Sequence, residues 1–130
     1  MMLGIDIMDV DRFVDMDNER LSRIFSAREI EYFQKKNMAP ETIAGMFCAK
    51  EAFFKALGTG ITPANILKLE VLHGQSGAPH YHFHPDILAQ HQYLSTSEIK
   101  VSISNTKRTS VAVCIILKQF YTTVNRMTNI

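Results

Sequence analysis

Residues 43–58, IAGMFCAKEAFFKALG, form the stretch of sequence that decides the fold. The segment is apolar on nearly every side, which is typical of a helix packed inside a protein. Pro40, just before it, suits the first turn of a helix, and Gly58 suits a left-handed C-terminal cap. We therefore expect one long buried helix that the other elements surround.

Glu51 is the unexpected residue in this helix. The helical spacing puts it on the same face as Phe47 and Phe54. Burying a carboxylate is costly unless a cation or a metal balances its charge, so Glu51 is a candidate site residue. The periodicity is equally compatible with an i, i+4 ion pair between Glu51 and Lys55 on a partly wet face, worth about 0.2–0.5 kcal/mol.

The composition indicates one globular domain. The chain has 130 residues, of which 46% are hydrophobic and 21% charged, and a formal net charge of +1. That charge argues against nucleic acid or an acidic membrane as a partner, and no apolar run approaches the roughly 20 residues of a membrane span. The acidic N-terminus is unlike a signal peptide, and both cysteines lie in apolar runs, so we expect a cytoplasmic protein. We expect a single domain over residues 1–120 and a polar tail over 121–130.

An alternating pattern near the N-terminus predicts a strand over residues 3–10. Its two faces carry different residues: Leu3, Ile5 and Ile7 on one, and Gly4, Asp6 and Met8 on the other. The glycine on the Asp6 face leaves room for another group to approach. Taken alone, Asp6 would be interpreted as a solvated residue on an edge strand.

The rest of the chain predicts short helices and two hairpins. Ser26 and Glu29 fit a capping box that begins a helix. The other expected elements are helical turns over 11–25, helices over 27–36 and 85–94, a hairpin of strands 66–73 and 79–84, and a hairpin of strands 98–105 and 109–117. The last strand is a near-continuous apolar run, so we expect it to be central in its sheet. The fold class is therefore α+β, with a small antiparallel sheet around the long buried helix.

Three histidines, His80, His82 and His84, share one face of a predicted strand. Alternating imidazoles suit zinc or copper. No cysteine or fourth ligand lies nearby, so an exposed strand edge is the favoured interpretation. A non-enzymatic, histidine-based metal-binding module is kept as an alternative function.

Four motifs together resemble the short, single-domain holo-acyl-carrier-protein synthases, a group of 4′-phosphopantetheinyl transferases. They are GID at residues 4–6 followed by Arg12, FCAKEAFFKALGTGI at 47–61, SGAP at 76–79 and VSISNT at 101–106. The likeness spans about residues 2 to 118, and the block around KEAFFKALGTGI is the most specific part. The resemblance implies the phosphopantetheinyl transferase-like α+β fold.

The resemblance also implies an activity. Such enzymes move the 4′-phosphopantetheine arm of coenzyme A onto a serine of an apo acyl carrier protein and release adenosine 3′,5′-bisphosphate. By resemblance Asp6 and Glu51 are the Mg²⁺ ligands, and they form the catalytic set together with Lys55, which neutralises a diphosphate oxygen. Either Glu51 or a magnesium-bound water held by Asp6 takes the proton of the serine.

Binding residues follow from the same resemblance. The positions expected to contact coenzyme A are Lys50, Lys55, Gly58, Thr59, Gly60, Pro79, Ser104, Asn105 and Thr106, with Lys50 assigned to coenzyme A phosphates or to the carrier protein. The positions expected to contact the acidic carrier protein are Arg12, Arg20, Arg23 and Phe25. Proteins of this group are usually homotrimers with a site between neighbouring protomers.

Asn105 departs from the pattern that the resemblance suggests. Many relatives read SISHT or SITHT where this chain reads Ser104-Asn105-Thr106. Asparagine can hydrogen-bond to a phosphate or an adenine edge, but it carries no charge and shuttles no proton. A weakly active or inactive family member that binds coenzyme A or the carrier protein is therefore the first alternative, ahead of the histidine-based module.

Overall fold

The structure is a computed structural model that describes residues 1–119; the predicted polar tail over 121–130 lies outside the described residues. The helices are α1 (Asn18–Ser22), α2 (Ala27–Lys35), α3 (Pro40–Leu57) and α4 (Pro85–Gln90). The strands are β1 (Met2–Asp9), β2 (Leu69–His73), β3 (Pro79–Phe83), β4 (Glu98–Asn105) and β5 (Thr109–Leu117). Short 3₁₀ turns cover Val10–Phe13, Ile66–Lys68 and Gln92–Thr96.

The strands form two antiparallel sheets. Three strands make the larger sheet in the order β1-β5-β4, and β2 pairs with β3 in a separate hairpin. The apolar strand β5 lies in the centre, as its sequence predicts, with Asp6 of β1 opposite Ala112. The expected α+β architecture, a small antiparallel sheet packed against a long helix, is confirmed.

Helix α3 fills the centre of the molecule. Pro40 begins it, and Gly58 ends it with φ 80°, the left-handed conformation predicted for this cap. Most of its middle residues are buried, including Met46, Ala49 and Phe53. The helix is therefore surrounded on nearly all sides, which is why its sequence has no continuous polar face.

Strand β1 and helix α3 meet backbone to backbone at Gly4. A Cβ atom on Gly4 would lie 1.8 Å from the carbonyl oxygen of Ala52 and 2.7 Å from the amide nitrogen of Ala56. The glycine does leave room for another group, and that group is the helix itself. This close approach sets Asp6, two residues further along β1, beside α3.

Three predicted elements are shorter than expected. The helical region over 11–25 divides at Asp15, whose φ of 58° is incompatible with a helix, and α1 restarts after Asp17 caps it. The strand predicted from residue 66 begins at Leu69, after a 3₁₀ turn, and the helix predicted to residue 94 ends at Gln90. The capping box is confirmed, with Glu29 and Ser26 bonded reciprocally.

The outer face of β1 is apolar and exposed. Leu3, Ile5 and Ile7 are 57%, 60% and 68% exposed, so the face opposite Asp6 is open to solvent in a single copy of the chain. Across residues 1–119, none of the helices combines the length and the hydropathy that a membrane crossing requires.

Candidate active site

Asp6 and Lys55 form an ion pair at the junction of β1 and α3. The Lys55 Nζ atom lies 3.0 Å from Asp6 Oδ1 and also donates to the carbonyl oxygen of Ile5 at 3.2 Å. Asp6 is only 6% exposed, and its second oxygen, Oδ2, is buried without a hydrogen-bond partner. Burying a carboxylate oxygen without a hydrogen bond is costly, which makes Asp6 a candidate site residue.

Glu51 lies one turn before Lys55 on α3 and adds a second carboxylate. Burial and the nearby Asp6 raise the pKa of Glu51, while Lys55 and Arg12 oppose that shift. The hydrogen bond to Asp6 raises the pKa of Lys55. The ion pair of Lys55 is formed with Asp6, across the helix–strand junction. It is not the i, i+4 pair with Glu51 along α3 that the periodicity also allowed.

Cys48, which lies in an apolar run of the sequence, is also a member of this cluster. Burial, and then Asp6, raise the pKa of its thiol to about 12, so the thiol stays protonated and unreactive. The Sγ–H donates to the carbonyl oxygen of Ser110 at 3.5 Å. Its i, i+3 spacing to Glu51 was the one signal in the sequence for this proximity.

The two carboxylates fit a magnesium ion. Magnesium takes hard oxygen ligands and commonly uses one or two carboxylates, with phosphate and water oxygens in the other positions. Asp6 Oδ2 is a free, buried oxygen of the required kind, and Asp6 is close enough to Glu51 to raise its pKa. Across residues 1–119 no group of three or more His, Cys, Asp or Glu side chains is arranged to hold a metal ion.

The histidine-based alternative gains no support from the structure. His80 and His82 are exposed on β3, and His84 caps α4 by accepting a hydrogen bond from the Asp86 amide at 3.1 Å. The side chain of His84 is thus already used to cap helix α4.

Lys50 does not fit its predicted role in binding coenzyme A or the carrier protein. Its side chain is 0% exposed, and its Nζ atom lies 2.8 Å from Oε1 of Glu29, which is equally buried. Nζ also donates to the carbonyl oxygens of Ile24 at 2.7 Å and Ile66 at 3.1 Å. All three donors are therefore used inside the protein, and the prediction for Lys50 is corrected.

Phe25 is likewise unable to contact a carrier protein in this structure. It is 1% exposed and packs edge-on against Phe33, with ring centroids 4.8 Å apart. The prediction failed because the sequence does not reveal which side of this irregular segment faces the core. Arg12, Arg20 and Arg23, by contrast, are all exposed.

The predicted coenzyme A positions fall into two regions. Gly58, Thr59 and Gly60 follow the C-terminus of α3, where Thr59 borders a cavity of about 270 Å³. Pro79 and Asn105 line a second cavity of about 200 Å³. Ser104 and Thr106, which flank Asn105, are exposed.

The comparisons with known proteins assign the family. The family model described as "4'-phosphopantetheinyl transferase superfamily" matches residues 2–115. This chain belongs to that superfamily. Among proteins that it resembles is the holo-[acyl-carrier-protein] synthase of Caldicellulosiruptor bescii, 43% identical over 115 residues, which cover 87% of this chain and 94% of that one. The corresponding synthase of Clostridium tetani is 35% identical over 117 residues, covering 88% and 93%.

Solved structures of this superfamily share the fold. The synthase of Neisseria meningitidis superimposes with a TM-score of 0.79 at 26% identity, covering 90% of this chain and 98% of that one. The synthase of Bacillus anthracis, whose structure is described as a complex with CoA (3',5'-ADP), superimposes with a TM-score of 0.75 at 28% identity, covering 91% and 96%. The four likenesses cover 93–98% of the lengths of those synthases and confirm the family that the four motifs indicated.

Proposed function

We propose that this protein is a holo-acyl-carrier-protein synthase that transfers the 4′-phosphopantetheine arm of coenzyme A to a serine of an apo acyl carrier protein. The observation that carries the proposal is the cluster of Asp6, Glu51 and Lys55 at the β1–α3 junction of a chain that belongs to this superfamily. The cluster combines two buried or half-buried carboxylates with a cation, which is the set that attack on a diphosphate requires.

In the proposed reaction the serine oxygen attacks the phosphorus that carries the pantetheine arm. The new bond joins that oxygen to phosphorus, and the bond from phosphorus to the bridging oxygen breaks. Adenosine 3′,5′-bisphosphate leaves with the bridging oxygen. Glu51, whose carboxylate lies beside that of Asp6, takes the proton of the serine. Lys55 neutralises charge on the diphosphate as a point charge from the rim of the cluster, where its side chain is 48% exposed.

Asp6 and Glu51 are the proposed ligands of Mg²⁺. When bound, magnesium supplies positive charge against the diphosphate oxygens. The unpartnered Oδ2 of Asp6 supports this assignment, because a bound cation would balance an oxygen that no protein donor reaches. Lys55 holds the other oxygen of Asp6 and so fixes the orientation of the carboxylate.

Coenzyme A is proposed to contact both regions described above. Gly58, Thr59 and Gly60 lie directly after the helix that carries Lys55, and the flexible backbone of the glycines suits a close approach by phosphate oxygens. The nucleotide end is assigned to Pro79 and to the exposed segment Ser104, Asn105 and Thr106. The complex described for the Bacillus anthracis synthase supports coenzyme A as the donor.

The carrier protein is proposed to dock on the exposed arginines Arg12, Arg20 and Arg23. An acidic helix on the carrier would complement this basic surface, and such charge complementarity mainly speeds and orients the encounter. Arg12 is also close enough to the cluster to lower the pKa of Glu51, which links the docking surface to the reaction centre.

We further propose a homotrimer in the cytoplasm, with the catalytic domain within residues 1–120 and each site between neighbouring protomers. The exposed face of Leu3, Ile5 and Ile7 supports self-association, because a soluble monomer rarely leaves a row of large apolar side chains open. Sedimentation analysis of the purified chain tests this: Ile7→Lys is expected to shift the trimer to monomers, and a wild-type monomer would contradict the proposal.

The transfer itself is tested by incubating the purified protein with apo carrier protein, coenzyme A and Mg²⁺, and then weighing the carrier by mass spectrometry. The carrier is expected to gain the mass of one phosphopantetheine arm, and Glu51→Gln is expected to abolish the gain. An unchanged carrier with coenzyme A still bound to the protein would overturn the proposal and favour an inactive binding protein.

A further inference from the structure

The cavity beside Pro79 and Asn105 contains a histidine to which no role has been given. His73, the last residue of β2, lines this cavity of about 200 Å³ together with Tyr32 of α2. Its ring stacks on that of Tyr32 with centroids 4.0 Å apart and planes within 3° of parallel. The stack fixes the plane of the imidazole, and the same two rings also line a neighbouring cavity of about 270 Å³ that includes Arg28, Glu31 and Lys35.

The cavity is suited to an uncharged, flat group. None of its lining residues, all within the described part of the chain, is a lysine, arginine, aspartate or glutamate. Its walls combine the apolar side chains of Met46 and Ile103 with polar groups, among them those of Thr42 and Asn105. A phosphate would require cations or several strong donors, whereas a nucleobase needs apolar walls and a few polar groups at its edge.

Stability of the fold does not account for a histidine at this position. The Nδ1 atom of His73 is buried and has no hydrogen-bond partner, which costs free energy. A phenylalanine would stack on Tyr32 equally well without burying an unpaired nitrogen. Burial, together with His80 and Lys36, lowers the pKa of His73, so the ring is neutral near pH 7. Because no acceptor reaches Nδ1, the proton of the neutral ring belongs on Nε2, and Nε2–H is left to serve a ligand.

We propose that His73 reads the adenine base of coenzyme A, with Nε2–H donating to the ring nitrogen N1 of adenine while the amide oxygen of Asn105 accepts from the 6-amino group. An asparagine amide is a good partner for an adenine edge. This inference rests on the proposed function for the choice of coenzyme A as ligand. It assigns His73 as a residue that determines specificity for the nucleotide, and Tyr32 as the residue that positions its ring.

Isothermal titration calorimetry with two nucleotides tests the assignment without the carrier protein. Adenosine 3′,5′-bisphosphate offers N1 as an acceptor, and inosine 3′,5′-bisphosphate presents N1–H and a carbonyl instead. The wild type is expected to prefer the adenine compound. His73→Phe, which keeps the stack, is expected to weaken binding of the adenine compound about five- to tenfold, the effect of one lost hydrogen bond. Binding of the inosine compound is expected to change much less.

Three further variants complete the experiment. His73→Gln restores a donor and is expected to bind the adenine compound within about twofold of the wild type. His73→Met removes the donor by a different side chain and is expected to repeat the loss, and His80→Phe changes an exposed histidine outside the cavity and is expected to change nothing. Unaltered affinity for the adenine compound in both His73→Phe and His73→Met, or equal losses for the two nucleotides, would overturn the proposal.

Kinetics separate this assignment from the proposed function. With saturating coenzyme A, His73→Phe is expected to keep the wild-type kcat and to raise KM for coenzyme A by the factor seen in calorimetry. If the wild type fails to modify an apo carrier, the proposed function fails while the nucleotide titrations still decide the role of His73. If transfer succeeds and KM for coenzyme A is unchanged in His73→Phe, only the assignment of His73 is refuted.

Discussion

Helix α3 contributes one lysine to each of two ion pairs, and the pairs differ in how far they are buried. Lys50 pairs with Glu29 at 2.8 Å, and both side chains are 0% exposed. Lys55 pairs with Asp6 at 3.0 Å, but the lysine side chain is 48% exposed. The two lysines lie five residues apart, so they point to different sides of the same helix.

The pairs differ most in how completely their hydrogen bonds are satisfied. Lys50 has three acceptors for its three donors, and Glu29 accepts from the amides of Ser26 and Val71 as well. Asp6 keeps one buried oxygen without a partner. A pair whose hydrogen-bond donors and acceptors are all used connects elements of the fold and has no free atom for a ligand. An unsaturated pair costs stability and retains the capacity to hold a ligand.

Lys50→Met is the strongest test of this difference. Removing one member of a buried pair leaves an uncompensated charge, and we expect a loss of about 3–5 kcal/mol in the free energy of unfolding, a large part of the stability of a domain. Urea denaturation measures this loss. The matched double variant Lys50→Met with Glu29→Gln is expected to be more stable than the single variant, because no unpaired charge remains. A single variant as stable as the wild type would show that the pair does not hold the fold together.

Asp6→Asn is expected to give the opposite outcome. It keeps the shape of the side chain but weakens the cation site, so we expect kcat to fall by at least about 10³-fold, or about 4 kcal/mol of activation free energy. The melting temperature is expected to stay within a few degrees, since the wild-type pair is unsaturated. Undiminished turnover in this variant would refute the site assignment.

Lys55→Ala removes the cation of the same pair and is expected to cost about 10²-fold in kcat, the usual loss for one charge-stabilising group. Lys35→Ala is a suitable control, because Lys35 is an exposed lysine whose partner Glu31 lies on the same helix α2. Steady-state assays at saturating coenzyme A separate a change in kcat from one in KM. A loss confined to KM would show that Lys55 binds substrate without favouring the transition state.

Glu19→Ala extends the comparison to a pair exposed on both sides. Arg23 and Glu19 are 3.1 Å apart with side chains 72% and 78% exposed, so we expect a change below about 0.5 kcal/mol in unfolding free energy. The same variant releases Arg23, so KM for an acidic carrier protein is expected to fall slightly at low salt. A loss of stability comparable to that of Lys50→Met would contradict the ranking.

Much of the fold was predictable because the local signals agree with one another. Pro40 and Gly58 mark the ends of α3, Ser26 and Glu29 mark the start of α2, and the final hairpin has the predicted bounds. The break at Asp15 was harder to predict, because its positive φ divides a region whose sequence is typical of a helix. Local sequence signals therefore predict where helices and strands end better than they predict the conformation of irregular segments.

The site was predictable only in part. Asp6 and Glu51 were paired through the resemblance, since residues 45 positions apart have no spacing rule that would join them. Lys50 was misjudged because its acceptors come from distant segments, and two of them are backbone carbonyls that no sequence motif marks. The stacked ring of His73 was missed for the same reason, because its partner Tyr32 is brought to it by tertiary packing.

Gly4 has a consequence for the geometry of the proposed cation site. It has no functional group, yet its contact with the Ala52 carbonyl determines how far the carboxylate of β1 lies from that of α3. A methyl group at this position would push strand and helix apart and widen the gap between the two ligands. A small octahedral ion such as Mg²⁺ tolerates such widening less well than a larger one such as Ca²⁺. The absence of a side chain at residue 4 thus helps to set the separation of the two carboxylates that are proposed to hold the cation.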